Sequence, residues 1–129
     1  MKIKISIQHT EFPGEIPLAR LHRVTRLMAL AIKFKDDLEK RRIRDQAELA
    51  RLGRVTRARI SQIMDLTLLS PSIIEEILYF PRIKRGHEIL TETAVRKIVR
   101  VKLLSEQEQM WSRLKSRLED RLEKDSATQ

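Results

Sequence analysis

The chain has 129 residues, no cysteine, and 27 Lys and Arg against 18 Asp and Glu, for a formal net charge of +9. That length suits one domain with one modest core, and the missing cysteines exclude disulfides, thiolate nucleophiles and thiolate metal sites. The positive surplus favours polyanionic partners, nucleic acid first and anionic membrane second, while three Gly and four Pro at 41% hydrophobic content argue for a helical globule over a sheet-rich one.

Residues 2–8 alternate, with Ile3, Ile5 and Ile7 facing away from Lys2, Lys4, Ser6 and Gln8. This period of two reads either as a short strand needing a partner, such as the same strand of a second subunit, or as a basic arm. Phe12, Pro13, Gly14 and Pro17 then mark a turn or linker, so 1–17 is taken as an N-terminal strand or arm. A first amphipathic helix is expected over about Leu18 to Arg42, with Leu21, Val24, Met28, Ala31 and Leu38 on one face. Nine basic and three acidic residues fall between Arg20 and Arg44.

Asp45 is a good N-cap, with Glu48 at capping-box spacing, for a short helix ending at about Leu52 and stopped by Gly53. Thr56 can cap a second helix to about Leu68. Ser70-Pro71-Ser72 closes that run and opens a further helix bearing Ile73, Ile74, Ile77 and Leu78, with Pro71 at the position where its missing N–H is harmless. After Pro81 comes a basic loop of Arg82, Lys84, Arg85, Gly86 and His87. Thr91 caps a helix with Ala94, Val95, Ile98 and Val99 inward. Ser105 is expected to cap a last helix with Trp111, Leu114, Leu118 and Leu122 at helical spacing and a frayed end after Asp125. The expected fold is all-α, a helical bundle containing a helix-turn-helix, with residues 18–103 as its DNA-binding domain and 104–129 as a C-terminal helix and tail.

The run AELARLGRVTRARISQIMDL, residues 47–66, carries the functional argument. A helix-turn-helix needs apolar residues on its first helix, a small residue at the crossing, a tight turn, and a second helix that buries one face and frees the other for the major groove. Leu49 suits the core, Ala50 the crossing, Gly53 the turn and Val55 the angle between the helices. Ile60, Ile63 and Met64 make a buried face. Thr56, Arg57, Ala58, Ser61 and Gln62 are left outward as candidate base readers. Arg pairs with guanine O6 and N7, Gln with adenine N6 and N7, and Ala or the Thr methyl meets thymine. Arg54 and Arg59 flank them as phosphate holders.

These residues resemble the helix-turn-helix of the ParB/KorB-like DNA-binding proteins. The shared features are the AELAR helix, the Gly turn, the Val-Thr-Arg start of the second helix, its isoleucines, and a Leu-Leu-Ser-Pro step leading to Ile-Glu-Glu-Ile-Leu. The likeness covers about Asp45 to His87. It implies a compact helical domain acting as a dimer on duplex DNA. Its nearest subset is the small stand-alone members on bacterial or phage mobile elements, which implies transcription regulation or a recombination accessory role and a recombinase partner. Two departures stand out. Many such motifs place Gly directly before the turn valine, whereas Arg54 intervenes here, which would displace the readers by about one residue. The partition proteins of this family also carry a nucleotide-binding domain with a Gly-Glu-Arg-Arg patch; this chain has no such patch and no room for the domain, so nucleotide binding is not carried over.

Arg20, Arg23, Arg26, Arg41, Arg42 and Arg44 could hold phosphates beside the groove, as could Lys84 and Arg85 in the basic loop. His9, His22 and His87 have no partners at metal-ligand spacing and are expected on the surface. Asp36 and Asp37 read as salt-bridge partners of nearby cations rather than a catalytic pair. No phosphate loop, nucleophile elbow or zinc-protease motif occurs, so neither an enzyme, a metal, a cofactor nor a small-molecule substrate is expected. Few aromatics argue against single-strand stacking platforms. No apolar run reaches the roughly 18 residues of a membrane span, and the N-terminus lacks the apolar stretch of a signal peptide, so a cytoplasmic location is expected. Two rivals share the charge: an interaction adaptor with a basic surface, and an RNA-binding bundle.

Overall fold

The computed structural model describes residues 21–81, 83 and 88–127. The N-terminal strand or arm, Arg20, and the loop residues Arg82, Lys84, Arg85, Gly86 and His87 lie outside that range. Among the described residues the architecture is all-α: α1 (Arg23–Glu39), α2 (Gln46–Gly53), α3 (Arg57–Met64), a 3-10 turn (Asp65–Leu68), α4 (Pro71–Leu78), α5 (Glu92–Val99) and α6 (Leu104–Ala127).

Helix α1 is the hub. Val24, Met28, Ala31 and Phe34 recur at helical spacing and are fully excluded from solvent, and α3, α4, α5 and the 3-10 turn all pack on it. Each buried aliphatic or aromatic side chain contributes roughly 1.5–3 kcal/mol, so this stripe holds the bundle together. The helix is shorter at both ends than its periodicity suggests, because a tertiary contact sets its start and a local backbone turn sets its end. At the start, Glu88 caps it from a distant loop: its Oε1 accepts from the Arg23 N–H at 2.6 Å. At the end, Arg41 adopts a left-handed φ of 57°.

His22 corrects a sequence expectation. It is only 2% exposed, placed edge-on to Phe80 with centroids 5.1 Å apart. Its Nε2 accepts the Ile89 N–H at 3.2 Å, a bond only the neutral ring can make. Burial pushes its pKa below the ordinary histidine value, against the pull of the Glu88 charge. The histidine is thus a core clamp joining the start of α1 to the segment before α5. It lies between Leu21 and Arg23, with Arg20 and Arg26 close by, and nothing local signals that the ring itself turns inward.

The caps follow the sequence closely. Asp45 accepts from the Glu48 N–H at 2.9 Å, Thr56 from Arg59 at 3.1 Å, Ser70 from Ile73 at 3.4 Å and Thr91 from Ala94 at 3.2 Å. The capping box at Asp45 is only half made, since the Glu48 carboxylate accepts from Arg44 Nε instead. Helix α6 starts one residue before Ser105, which is therefore inside it and not its cap, and continues past Asp125 to Ala127. It shares the single core through Trp111 and Leu118. Gln107 fixes its first turns: buried, it accepts from the Ser70 N–H at 2.9 Å and donates to the carbonyls of Val101 at 2.8 Å and Leu68 at 3.3 Å. One side chain thus satisfies three backbone groups that a loop would otherwise bury unpaired. Trp111 Nε1 donates to Glu76, which also pairs with Lys115.

Candidate nucleic-acid interface

Helices α2 and α3 are joined by three residues, Arg54, Val55 and Thr56. Arg54 takes the left-handed conformation, φ 55°. Its N–H donates to the Arg51 carbonyl and the Val55 N–H to the Ala50 carbonyl at 3.0 Å. These two bonds define a Schellman ending. Gly53, expected to make the turn, is the last helical residue, and the left-handed place directly before Val55 is filled by arginine. The turn is therefore not lengthened, and Thr56 caps α3 in the register expected from sequence.

The packing of the pair is as expected. Leu49 and Ile60 are fully buried, Ile63 and Ala50 nearly so, and Val55 and Met64 lean on the same core. Ala50 is one of the two buried residues of α2, beside Leu49. With Ile60 and Ile63 inward, the opposite side of α3 has to face out.

Of the candidate readers, Thr56, Arg57 and Ala58 are exposed, and Ser61 and Gln62 are half-buried. The Thr56 hydroxyl serves as the cap. The Ser61 hydroxyl donates to Gln46 Oε1 at 2.9 Å, tying α3 to the first turn of α2. Arg57 is in none of the ion pairs among the described residues.

The candidate phosphate holders divide sharply. Arg54 is exposed and, among the described residues, has no carboxylate partner. Arg44 keeps an 84% exposed side chain while touching Glu48 at 3.2 Å. Arg42 is tethered to Asp37 at 2.7 Å and also to Asp36. Asp36, which Lys40 reaches at 3.1 Å, is held below the usual carboxylate pKa by hydrogen bonds from Lys40 and then Arg42. The Asp36 and Asp37 pair is therefore a charge clamp on the loop after α1. Arg59 turns sideways and grips Glu92 at the start of α5 with two bonds, 2.7 and 3.0 Å. This bond is the main cause that lowers the Glu92 pKa and raises that of Arg59. Lys84 and Arg85 lie outside the described residues.

Three further contributors, Arg51, Gln46 and Glu92, are not among the residues expected from sequence. Arg51 is exposed and, among the described residues, outside every ion pair, so that Arg51, Arg54 and Arg57 rim the turn at three-residue steps. That spacing was visible in sequence; its continuity across the turn depends on the left-handed Arg54. Gln46 and Glu92 gave no local signal, because both act through contacts distant in sequence. Glu92 is also not an acidic wall. Beyond Arg59, Arg96 stands at 3.8 Å and the Arg23 charge acts on it as well, so one carboxylate sits among three guanidiniums.

Among the described residues, no group of three or more His, Asp or Glu side chains could hold a metal ion, and no helix is long and apolar enough to cross a membrane. Comparison of the chain with protein-family models, curated proteins and solved structures finds no match.

Proposed function

We propose that the chain is a sequence-specific double-stranded DNA-binding protein of the ParB/KorB-like type, with α3 as the helix that enters the major groove. The observation that carries this reading is the exposed start of α3. Thr56, Arg57 and Ala58 face outward at the N-terminal end, where recognition helices contact base edges, while Ile60 and Ile63 beneath them are locked in the core. Arg57 is the guanine reader, and Arg51 and Arg54 hold the backbone to either side. Arg42 and Arg59 already spend their charge within the fold and contribute little to phosphate binding.

In this reading the protein works in the cytoplasm as a transcriptional regulator or accessory factor of a mobile element. It binds a two-fold site as a homodimer, with half-sites about one helical turn apart, in some settings beside a recombinase. Salt titration of binding to duplex DNA, with duplex RNA as competitor, tests the class. At least two phosphate contacts per protomer give a log–log slope of about −2 or steeper, and duplex DNA outcompetes duplex RNA. A flat salt dependence supports the adaptor instead, and preference for RNA supports the RNA-binding bundle.

A further inference from the structure

The contact between Arg59 and Glu92 has a second consequence, on Gln62. One Nη1 of Arg59 donates both to Glu92 Oε2 at 2.7 Å and to Gln62 Oε1 at 3.3 Å. A guanidinium only donates, so the atom of Gln62 that faces it must be the amide oxygen and not the nitrogen. The Arg59 and Glu92 side chains are about four-fifths buried, at 23% and 21% exposure, and the pair is bidentate, which fixes the plane of the guanidinium. The orientation of the Gln62 amide is thereby imposed from α5, 30 residues further along the chain.

We propose that Glu92 is a positioning residue that sets the base preference of Gln62 by way of Arg59, so that Gln62 turns chiefly its amide donors toward the groove. The inference rests on the duplex-reading proposal and deepens it. A free glutamine amide pairs with adenine by accepting from N6 and donating to N7. With its oxygen turned to Arg59 and one of its two lone pairs used there, Gln62 is left with a weakened acceptor beside two free N–H donors. What remains favours base edges that only accept: guanine through N7 and O6, or thymine through O4. The adenine N6 and cytosine N4 amino groups face a donor and are disfavoured. Arg59 itself spends three of its five N–H donors on Glu92 and Gln62 and has its charge met by Glu92, so it is a weaker phosphate contact than Arg51 or Arg54.

The test is selection of preferred duplexes from a random pool by the parent chain, Glu92→Ala, Gln62→Met and the double variant, each checked for an intact helical fold by circular dichroism. The parent is expected to select guanine or thymine at the Gln62 position. Glu92→Ala is expected to admit adenine there, with about a ten-fold change in relative affinity. The released Arg59 should also steepen the salt slope by about one phosphate contact. Gln62→Met should erase the preference at that base pair alone, and the double variant should match it there. If Glu92→Ala fails to fold, Glu92→Gln replaces it, keeping the shape and removing the charge that fixes Arg59. An unchanged base at the Gln62 position in the Glu92 variants overturns this inference while the duplex-reading proposal stands. Adenine already preferred by the parent overturns it too. A parent that enriches no sequence overturns both.

Discussion

The ends of α1 and α2 use one backbone device in two electrostatic settings. Each helix closes with a left-handed arginine, Arg41 at φ 57° and Arg54 at φ 55°. Each closes with the same pair of bonds: Arg41 and Arg42 N–H to the Leu38 and Asp37 carbonyls, Arg54 and Val55 N–H to those of Arg51 and Ala50. At the first turn, Asp36 and Asp37 collect Lys40 and Arg42 into a closed ion cluster. At the second, no carboxylate among the described residues comes within ion-pair reach of Arg51, Arg54 or Arg57. The backbone geometry of a turn thus says little about its role. Which carboxylates fall beside it decides whether its arginines staple the fold or remain available to a polyanion.

The contrast can be broken most severely at Arg57. Arg57→Ala is expected to cost roughly 1–3 kcal/mol of duplex affinity and to relax preference at one base pair, measured by competition titration against single-base variants of the selected site. It should leave thermal stability unchanged, because the side chain makes no ion pair among the described residues.

A matched pair of substitutions sharpens the comparison. A left-handed L-residue costs roughly 1–2 kcal/mol, partly offset on mutation by the greater unfolded-state freedom of glycine. Arg41→Gly and Arg54→Gly should each therefore stabilise the fold by roughly 0.5–1 kcal/mol in denaturant titrations. Only Arg54→Gly should also weaken duplex binding and reduce its salt slope by about one. Equal effects of the two on binding would dissolve the distinction between the turns.

The smallest effect concerns pH, and it lies away from both turns. His22 has a folded pKa below its unfolded value, since burial favours the neutral ring. The unfolded chain then binds more protons between the two values, so stability rises with pH across that window. The contribution is complete above about pH 6.5 and fades as pH falls through the lowered folded value. His22→Gln keeps an acceptor for the Ile89 N–H without a titrating group. Its melting temperature should be flatter than the parent's below about pH 6.5, read as the difference between the two chains. Glu92 acts at lower pH. Its pKa is depressed chiefly by the Arg59 hydrogen bond, so its contribution holds above about pH 4.3 and is lost below it.

The helices and caps were legible because they are local. Asp45, Thr56, Ser70 and Thr91 each act on a backbone N–H three residues ahead, and the inward isoleucines of α3 and α4 recur at helical spacing. What escaped the sequence acts at a distance. His22 is drawn inward by Ile89 and Phe80, α1 is capped by Glu88, Gln107 satisfies a loop 37 residues away, and Arg59 is captured by Glu92. Arg59 is the instructive case. On a helical wheel it is a flanking cation like Arg54, and only the arrival of α5 separates them. Which side of α3 faces outward followed from Ile60 and Ile63; which of its arginines are free did not.

The account depends on Arg57 at the outward start of α3 touching a base. Duplex selection from a random pool by the parent and by Arg57→Ala tests this most directly. The account expects an enriched two-fold site in the parent, with guanine at the Arg57 position of each half-site, and loss of that preference alone in the variant. The same enriched site from both chains, or none from the parent, would contradict it.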